Sequence, residues 1–347
     1  MSKILEHQPL APYTSLRVGG DAERLVLTET FNETVHELQN VGSDVWLLGY
    51  GSNSLISDKG LPGTTIIWRN GEVQVDDALI VADAGVWWDD IVVSAINNQL
   101  WGLELMSEIP SSVGGAVFGN IAAYGQQVSD TLAWVDIYDT NTNKIERLEK
   151  SEVDFAYRQS SLQAEPHRKI LRAAFQLSRT PLHSLRYDSA LVIADELGRD
   201  VTNQHELREV IIETRRRAGS LYHPDDSSAE RTAGSFFKNP MVSVEQAHEL
   251  AAYDETGKTV ERIINQSKVH GGNAQRASAA HVLFAAGFHR GQTWGNVRLH
   301  KQHVLKIETL EGATAQDVYN VSKHIIATVR EKLGIDLEAE VKFLGEF

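Results

Sequence analysis

The segment IPSSVGGAVFGNIAAYG, residues 109–125, combines closely spaced glycines with apolar side chains and contains no charged residue. An ordinary surface loop is polar, whereas Val113, Val117 and Phe118 favour burial. Glycine lets the main chain approach a neighbouring surface closely, because it has no Cβ atom. The segment therefore predicts a backbone that lies against a flat, partly apolar ligand, and the fold must provide a place for that ligand.

A second glycine segment, LGYGSNSLISDKG at residues 48–60, follows an apolar run that is typical of a buried strand. Main-chain N–H groups at Gly49, Gly51 and Ser52 can bind an anion such as a diphosphate. This is not the Rossmann pattern, because that motif has three glycines that open a helix, whereas Pro62 follows here. A tight turn explains this segment on its own. Together, the two glycine segments favour a dinucleotide cofactor.

Composition excludes several classes of function. The 47 acidic and 33 basic residues give a formal charge of −14, which is the wrong sign for a nucleic-acid or anionic-membrane surface. The absence of cysteine excludes disulfides, thiol nucleophiles and zinc–thiolate sites, and we predict no metal. No apolar run approaches the roughly 18 residues of a membrane span, and the N-terminus has neither secretory nor transit character. We therefore predict a cytoplasmic protein without nucleic-acid or membrane partners.

The order of the apolar patterns predicts an α+β fold with more than one domain. A chain of 347 residues that is 42% hydrophobic is too long for one small core. Strand and helix patterns alternate in the first half, where one helix begins at Thr30 with Glu33 at capping-box spacing. The second half is richer in helix, and its polar loop at 221–232 is predicted to be mobile. The predicted domains are 1–182, with subdomains of about 1–75 and 76–182, and 183–347.

Five motifs carry a resemblance to a known family: LGYGSNSLISDKG, IPSSVGGAVFGNIAAYG, FAYRQSSL, AGSFFKNP and LEAEVKF. In this order and spacing the chain resembles the bacterial UDP-N-acetylenolpyruvoylglucosamine reductases over nearly its whole length. The first two motifs are shared with the wider group of flavoproteins that have a vanillyl-alcohol-oxidase-like FAD domain, whereas the last three are specific to the reductases. The resemblance implies a two-part PCMH-type FAD-binding α+β region, followed by a smaller α/β substrate-binding domain.

The resemblance also implies the chemistry and the partners. Such an enzyme binds FAD, takes hydride from NADPH and reduces UDP-N-acetylglucosamine enolpyruvate to UDP-N-acetylmuramate for peptidoglycan synthesis. The preference for NADPH and a monomeric state are implied by the family alone, since no sequence motif here reads the 2′-phosphate of the nucleotide.

Reduction of an enol ether that is conjugated to a carboxylate needs hydride at one carbon, a proton at the other and stabilisation of the charge between them. The resemblance assigns the stabilising roles to Arg158 and Glu340, and proton donation to Ser235. A guanidinium suits the carboxylate because it is a permanent cation with a bidentate fork. Next to Ser235, Phe236 and Phe237 are expected to anchor the segment in a core.

Each of these residues also has a structural interpretation. Arg158 can tie down a loop, and Ser235 can bond to a nearby carbonyl group. The alternation in IDLEAEVKF predicts a last strand, within 335–347, whose polar face carries Glu340, and such a face is usually exposed to solvent. By the resemblance, this strand returns Glu340 to the active site.

Binding residues are implied in the same way. For the cofactor they are Gly49, Gly51, Ser52, Asn53, Ser54, Ser111, Ser112, Gly114, Gly115, Asn120 and Arg217. For the substrate they are Tyr124, Arg158, Tyr187, Lys238 and Asn239. The chain departs from the family at Ser220, where a lysine for the diphosphate is typical, so Lys238 or a neighbouring arginine is expected to replace that contact.

Two other functions stay open at this point. An FAD-linked sugar or alcohol oxidase on the same flavin fold would explain both glycine segments, but it would leave Arg158, Ser235 and Glu340 without a role. A catalytically silent nucleotide-sugar-binding relative is kept open by Ser220.

Overall fold

The computed structural model describes residues 2–42, 44–226, 228–254 and 276–347. By its internal contacts the chain forms two compact units. The first comprises Met1–Gln8, Ala22–Gly51 and Pro62–Ala229, and the second comprises Pro9–Asp21, Ser52–Leu61 and Glu230–Phe347. Each unit is therefore assembled from separate stretches of the chain.

The described strands and helices alternate along much of the chain. The strands are β1 (Lys3–Pro9), β2 (Asp21–Thr28), β3 (Val45–Leu48), β4 (Ser54–Ile56), β5 (Leu61–Trp68), β6 (Val73–Asp76), β7 (Leu79–Asp83), β8 (Ala122–Ala123), β9 (Gln126–Gln127), β10 (Leu132–Asp139), β11 (Lys144–Glu149), β12 (Phe155–Ala156), β13 (Gln159–Ser160), β14 (Arg168–Gln176), β15 (Thr232–Ser235), β16 (Thr293–Trp294), β17 (Val297–Leu299), β18 (Lys306–Thr309) and β19 (Lys342–Leu344). The helices are α1 (Phe31–Asn40), α2 (Trp88–Asn97), α3 (Val113–Gly119), α4 (Val128–Thr131), α5 (Asp188–Leu197), α6 (Gln204–Arg217), α7 (Val244–Leu250), α8 (Ala279–Ala285) and α9 (Ala315–Leu333).

Two sheets form the framework of the first unit. One has the order β1-β2-β5-β3 with β3 parallel to β5, and the other has the order β11-β10-β14-β7-β6 and is antiparallel. A large apolar core includes Trp68, Trp88 and Phe175, each at most 1% exposed. Helix α1 begins as predicted, because the Thr30 hydroxyl accepts a hydrogen bond from the amide of Glu33. The mixed α+β framework follows from the alternation of strand and helix patterns in the sequence.

Helices α5 and α6 belong to the first unit. Their apolar faces pack with Leu105, which follows α2 in the chain. Arg208 of α6 makes a bidentate ion pair with Asp89 of α2, at 2.7 and 2.5 Å. The first unit therefore extends to Ala229, whereas the sequence suggested a boundary at residue 182. The change of pattern after β14 marks an added helical pair, which covers part of the first unit.

The second unit is built on an antiparallel sheet with the order β15-β18-β17-β16. A separate parallel pair joins β4 to β19. The Asp58 carboxylate accepts hydrogen bonds from the first two amides of α9, at 2.9 and 2.8 Å. The Thr309 hydroxyl donates to the carbonyl oxygen of Leu16 at 2.6 Å. Contacts of this kind are the reason that two early stretches of chain belong to the second unit.

The uncharged glycine segment contains a short helix, which its composition did not indicate. Val113–Gly119 is helical, and the hydroxyl of Ser112 caps this helix by accepting from the amide of Gly115 at 3.1 Å. Small residues allow this short helix to form against close neighbours, so glycine here marks close packing rather than an irregular loop.

The last predicted strand is shorter than the alternation suggested. Regular pairing is confined to β19, and Ala339 forms a single isolated bridge with Phe237. The predicted alternation is nevertheless present, since Leu337 and Val341 are buried while Glu338 is exposed. The segment is extended but it lacks a continuous partner strand.

Within the described residues, no helix is both long and apolar enough to cross a membrane. The same part of the chain contains no group of three histidine or acidic side chains arranged to hold a metal ion. One residue of the loop predicted to be mobile, Ser227, lies outside the described residues.

Candidate active site

The two glycine segments lie against each other in the first unit. A Cβ atom at Gly49 would lie 2.5 Å from Oγ of Ser112 and 2.8 Å from its Cβ atom, so only glycine allows this approach. Trp87 also forms an isolated antiparallel bridge with Ser112. Segments that are far apart in the sequence thus form one surface of glycine and serine residues.

The glycines of α3 are packed just as closely. A Cβ atom at Gly114 would lie 2.9 Å from Cβ of Ala84, and one at Gly115 would lie 2.9 Å from Oγ of Ser111. The Ser111 hydroxyl is itself fixed, because it donates to the carbonyl oxygen of Ser112 at 2.9 Å. These contacts keep side chains away from the place where the two glycine segments meet.

Asn120, which we predicted to bind the cofactor, is held by the protein. It ends α3 in the left-handed region, with φ of 43°, and it is 1% exposed. Its side-chain nitrogen donates to the carbonyl oxygen of Ala156 at 3.1 Å, and its side-chain oxygen accepts from the amide of Ser129 at 3.0 Å. The side chain thus joins α3 to its neighbours, and direct contact with the cofactor stays a prediction.

The surface around Gly49 fits a flavin dinucleotide. Tyr50 packs edge-on against Trp87, with 4.5 Å between ring centroids. The Arg69 guanidinium lies 5.2 Å from the centre of the Tyr50 ring, and its Nε donates to the carbonyl oxygen of Gly49 at 3.1 Å. Burial raises the pKa of the Tyr50 hydroxyl. A glycine surface beside aromatic rings and one cation suits a ligand that has flat rings and a diphosphate.

Tyr124 and Arg158 occupy the tips of two short hairpins in the first unit. The β8–β9 hairpin turns through Tyr124 and Gly125, with φ of 50° and 95°. In the β12–β13 hairpin, Arg158 has φ of 57°. A left-handed residue other than glycine costs on the order of 1–3 kcal/mol, and such residues concentrate at functional sites. Positive φ is also usual in two-residue hairpin turns, so the hairpins explain this backbone and the role of both residues stays a prediction.

Arg215 of α6 joins these residues, although the sequence did not single it out. Its Nε atom is buried, and its Nη2 donates to the carbonyl oxygen of Ser220 at 2.8 Å. Burial lowers the pKa of Arg215, the nearby Tyr124, Glu108 and Asp89 oppose this shift, and the charge of Arg158 adds to it. Burial also raises the pKa of the Tyr124 hydroxyl, and Arg215 opposes that shift. Tyr124, Arg158 and Arg215 thus form one cluster with two cationic groups, which we call the arginine cluster.

Arg217, which we predicted to contact the cofactor, lies elsewhere on α6. Its side chain donates to Glu213 at 2.7 Å and to Glu196 at 2.6 Å, and it is largely exposed. Two residues along a helix correspond to a rotation of about 200°, so neighbouring arginines of one run face different surroundings. The run of three arginines was visible in the sequence, but its inward member is Arg215.

Tyr187 immediately precedes α5 and contacts the arginine cluster. Its ring packs edge-on against that of Tyr124, with 5.3 Å between centroids. The structure therefore brings together three of the predicted substrate residues, Tyr124, Arg158 and Tyr187, within the first unit.

Ser235 is the last residue of β15 in the second unit. Gly234 before it has φ of 73°, which is the left-handed region that glycine adopts most readily. Phe236 and Phe237 are 0% and 1% exposed, so they anchor the segment as predicted, while Ser235 itself is half-buried. The hydroxyl is thus placed on a rigid strand end at the edge of a core.

Glu340 lies beside this serine segment. Its amide donates to the carbonyl oxygen of Phe236 at 2.8 Å, and the amide of Lys238 donates to the carbonyl oxygen of Glu338 at 2.9 Å. The two segments therefore run antiparallel, and the structure brings Ser235 and Glu340 into one region of the second unit. The third predicted catalytic residue, Arg158, belongs to the first unit.

The serine–asparagine part of the LGYGSNSLISDKG segment also belongs to the second unit, which includes the chain again from Ser52. The Asn53 side chain donates to the main-chain carbonyl oxygen of Glu340 at 3.3 Å, and the main-chain carbonyl oxygen of Asn53 accepts from the amide of Lys342 at 3.0 Å. Strand β4, which begins at Ser54, is parallel to β19. Residues predicted to bind the cofactor thus directly support the Glu340 segment.

Lysine and asparagine side chains surround the same segment. The Lys238 Nζ atom lies 3.3 Å from a carboxylate oxygen of Glu338. Burial lowers the pKa of Lys342, and the charge of Lys238 lowers it further, while Glu340 opposes the shift. The side-chain oxygen of Asn239 accepts from the first amide of α8 at 2.9 Å. Positive charge is therefore available beside Glu340, whereas the Asn239 oxygen is engaged by the fold.

Comparisons with known proteins agree with this geometry. Residues 27–149 match a family model described as an FAD binding domain. Residues 225–344 match a model of the C-terminal domain of UDP-N-acetylenolpyruvoylglucosamine reductase. A reductase of that name from Streptomyces coelicolor is 32% identical over 350 residues, covering 98% of this chain and 90% of the relative. The chain belongs to the UDP-N-acetylenolpyruvoylglucosamine reductase family.

Other members of this reductase family give the same result. A relative from Thermobifida fusca is 31% identical, with 97% of each chain covered. A crystal structure of the enzyme from Thermus caldophilus superposes with a TM-score of 0.62 at 24% identity, covers 99% of both chains and supports the fold. The predicted family, the α+β fold class and the FAD cofactor are thereby confirmed. The roles of individual residues stay predictions.

A second residue that the sequence analysis missed is Lys306, in β18. It is 1% exposed, and it is the Cα partner of Ser235 across the sheet. Its burial was not apparent from the sequence, because Lys306 and Glu308 alternate with the apolar Leu305 and Ile307 in HVLKIET, and that pattern predicts an exposed polar face. Only the pairing of β15 with β18 shows which residue that lysine faces.

Proposed function

We propose that Ser235 donates the proton, and that Glu340 and Arg158 stabilise the developing charge, when this chain reduces UDP-N-acetylglucosamine enolpyruvate to UDP-N-acetylmuramate. The reaction follows from membership of the reductase family, which uses FAD and NADPH and serves peptidoglycan precursor synthesis. The observation that carries the residue roles is the hydrogen bond of 2.8 Å from the Glu340 amide to the Phe236 carbonyl oxygen. It brings a carboxyl group from the end of the chain next to the serine segment.

When bound, FAD would supply the hydride for the enolpyruvyl double bond after its own reduction by NADPH. The protein would hold it with the surface where Gly49 and Ser112 meet, since side chains are excluded there and Tyr50 and Trp87 lie alongside. The tight contacts at Gly49 and Gly114 are the structural features that fit this cofactor.

Ser235 acts as an acid toward carbon in this proposal, and therefore needs no adjacent base to turn it into a nucleophile. A serine hydroxyl is a weak acid in water, so it can donate to carbon only where the protein positions and partly desolvates it. Its half-buried place at the end of β15, next to the buried Phe236, meets both requirements.

Glu340 is proposed to stabilise the charge that develops on the substrate. In its protonated form, a carboxyl group can donate a hydrogen bond to an enolate oxygen. The Asn53 side chain donates to the main-chain carbonyl oxygen of Glu340, so this part of the chain is held in a defined position.

The arginine cluster is proposed to bind the substrate carboxylate. Arg158 offers the bidentate fork that a carboxylate fits best, and Arg215 adds a second cation. The acidic groups near Arg215 are Asp89 and Glu108, and both lie within ion-pair distance of Arg208. With Arg158 and Arg215, three guanidinium groups face two carboxylates, so positive charge remains available for an anionic ligand. Arg217 is bonded to Glu213 and Glu196, and its contact with the cofactor stays a separate prediction.

We further propose that Lys238 contacts the diphosphate in place of the lysine that the family has where this chain has Ser220. Tyr187 and Asn239 are proposed to contact the sugar nucleotide, and the enzyme is proposed to act as a cytoplasmic monomer. Light scattering coupled to size-exclusion chromatography tests the monomer directly. A concentration-independent mass of one chain is expected, and a stable dimer would contradict it.

Anaerobic stopped-flow absorbance tests the function. We expect the flavin colour to bleach on addition of NADPH and to return on addition of UDP-N-acetylglucosamine enolpyruvate. Bleaching by a free sugar or alcohol without nicotinamide would instead indicate an oxidase. A protein that stays colourless with added FAD would indicate a silent binding relative.

A further inference from the structure

Lys306 is a fully buried lysine that faces the proposed proton donor. It is 1% exposed, and its Cα partner across β15 and β18 is Ser235. The amide of Phe236 donates to the carbonyl oxygen of Leu305 at 2.8 Å, which is the pattern on one side of a pair that is not itself hydrogen-bonded. In such a pair the Cα atoms are about 4.5 Å apart and the two side chains leave the same face of the sheet. The Lys306 and Ser235 side chains therefore start as close neighbours.

The same row of the sheet continues to the other side of Lys306. Extending the register of β17 and β18 by one residue places His300 opposite Lys306, and the His300 amide donates to the Lys306 carbonyl oxygen at 2.9 Å. The His300 Nε2 atom lies 2.8 Å from a carboxylate oxygen of Glu230, whose side chain is 44% exposed. Ser235, Lys306, His300 and Glu230 thus form a polar row from the serine to solvent.

Glu308 and His303 are two other ionisable residues near Lys306. Both carboxylate oxygens of Glu308, on the same strand, accept from the guanidinium of Arg298 at 2.6 and 2.9 Å. Burial, together with the positive charge of Lys306, lowers the pKa of His303 to about 4. His303 is consequently neutral at neutral pH. A buried ammonium has a high desolvation cost, which distinguishes Lys306 from an ordinary strand residue.

We propose that Lys306 is a positioning residue that acts through Ser235, an inference that rests on the proposed role of Ser235 as proton donor. It supplies positive charge beside the serine oxygen while the Ser235 O–H bond breaks and the substrate C–H bond forms. A Lys306 N–H bond then breaks as the Ser235 O–H bond forms again. The lysine regains its proton from solvent through His300 and Glu230.

The test compares Lys306→Met with Lys306→Arg in the flavin-containing enzyme. Methionine keeps the length of the buried stem and removes the charge, whereas arginine keeps the charge. For Lys306→Met we expect flavin reduction by NADPH within about twofold of the wild type, and reoxidation by the enolpyruvyl substrate slowed by about 100-fold. For Lys306→Arg we expect a reoxidation rate between those of the wild type and Lys306→Met, which a merely structural lysine would not require.

A double variant distinguishes action through Ser235 from an independent effect. If Lys306 acts through the serine, adding Lys306→Met to Ser235→Ala should slow reoxidation by less than about threefold more. Full multiplication of the two single effects, or equal slowing of both half-reactions in Lys306→Met, would overturn the proposal. So would wild-type reoxidation in Lys306→Met.

Lys306→Gln provides a second uncharged variant, whose amide can keep a buried hydrogen bond if methionine does not fold. All rates are expressed relative to reoxidation of the wild-type enzyme by the same substrate. Absence of that wild-type reaction would contradict the proposed function itself, so the two failures are distinguishable.

Discussion

Ser235 illustrates how a residue with weak intrinsic chemistry can be given a specific task. Phe236 and Phe237 are buried beside it, and the Glu340 segment is bonded to the same stretch of main chain. These contacts fix the position of the Ser235 hydroxyl, and the apolar side chains at the edge of the core limit the access of water to it. The proposed role of Ser235 thus depends on where its hydroxyl lies. Loss of this hydroxyl is expected to impair only flavin reoxidation by the substrate.

Ser235→Ala should leave flavin reduction by NADPH nearly unchanged and slow reoxidation by the enolpyruvyl substrate by about 100-fold to 10,000-fold, because only the second step needs the proton. Rapid-mixing absorbance measures both steps on one preparation. Ser322→Ala is a matched control, since Ser322 is a fully buried serine of the same unit that donates to the carbonyl oxygen of Tyr319. Similar losses in both half-reactions of Ser235→Ala would argue for a structural role.

The arginine cluster gives a second prediction for single residues. Arg215→Met should raise KM for the enolpyruvyl substrate by about tenfold or more, because loss of a charged hydrogen bond costs roughly 1.5–3 kcal/mol. Arg217→Met should have little effect, since Arg217 is exposed and bonded to Glu213 and Glu196. Arg216→Met, which removes another exposed cation of α6, serves as the charge control. A large effect on KM at Arg217 with none at Arg215 would contradict the proposed role of Arg215.

The two glycine segments contribute through the main chain of whole segments rather than through individual side chains. Each provides main chain without side chains, and their contact at Gly49 and Ser112 places two distant stretches in one surface. The sequence predicted the ligand class from these segments, because glycine and the lack of charge have a direct physical meaning. It did not predict α3, because the burial that stabilises this short helix comes from neighbouring elements.

Gly49→Ala should therefore reduce FAD occupancy strongly, since its new Cβ atom would lie 2.5 Å from the Ser112 hydroxyl oxygen. Gly119→Ala is the matched control from the end of α3, where the nearest atom to a new Cβ, from Ile121, is 3.9 Å away. The absorbance ratio of flavin to protein in purified samples measures occupancy. Normal flavin content in Gly49→Ala would show that the two segments can separate without loss of the cofactor.

The roles of individual residues were harder to predict than the strands and helices, because they depend on contacts between distant segments. The alternation in IDLEAEVKF placed Glu340 on a polar face, but only the contact with Phe236 shows that this face lies beside Ser235. Likewise, the run of three arginines was apparent, but the rotation of α6 decides that Arg215 is the inward one. The fold class could be derived from local patterns, whereas contacts between distant segments could not.

At the scale of the whole molecule, His303 is expected to contribute to acid sensitivity. Its pKa is lowered to about 4 in the folded protein, first by burial and then by Lys306, His300 and Arg290. The unfolded chain has a histidine pKa of about 6.5, so it binds the proton first as the pH falls. The contribution of His303 to stability is therefore full above pH of about 6.5 and is lost toward pH 4, by up to about 3 kcal/mol.

Denaturant unfolding at pH 7.5 and pH 4.5 measures this effect in the wild type and in His303→Gln. The variant should lose less stability between the two pH values, because glutamine does not titrate. His36→Gln, which changes an exposed histidine on α1, is the control and should follow the wild type. An identical pH dependence of stability in His303→Gln and the wild type would contradict the assignment.

The second unit is assembled from early and late stretches of the chain, and this affects how it can fold during synthesis on the ribosome. Residues 9–21 and 52–61 emerge early, but their partners include β18, α9 and β19, which lie near the end of the chain. Leu16, Val18 and Leu55 are all buried in the folded unit. They therefore lack their packing partners until more than half of the protein has been translated. Transiently exposed apolar surface and an unpaired strand favour aggregation. Early termination of translation would leave these segments permanently without their partners, so this protein is expected to depend on complete synthesis, and on chaperones during it, more than a chain whose domains follow one another in order.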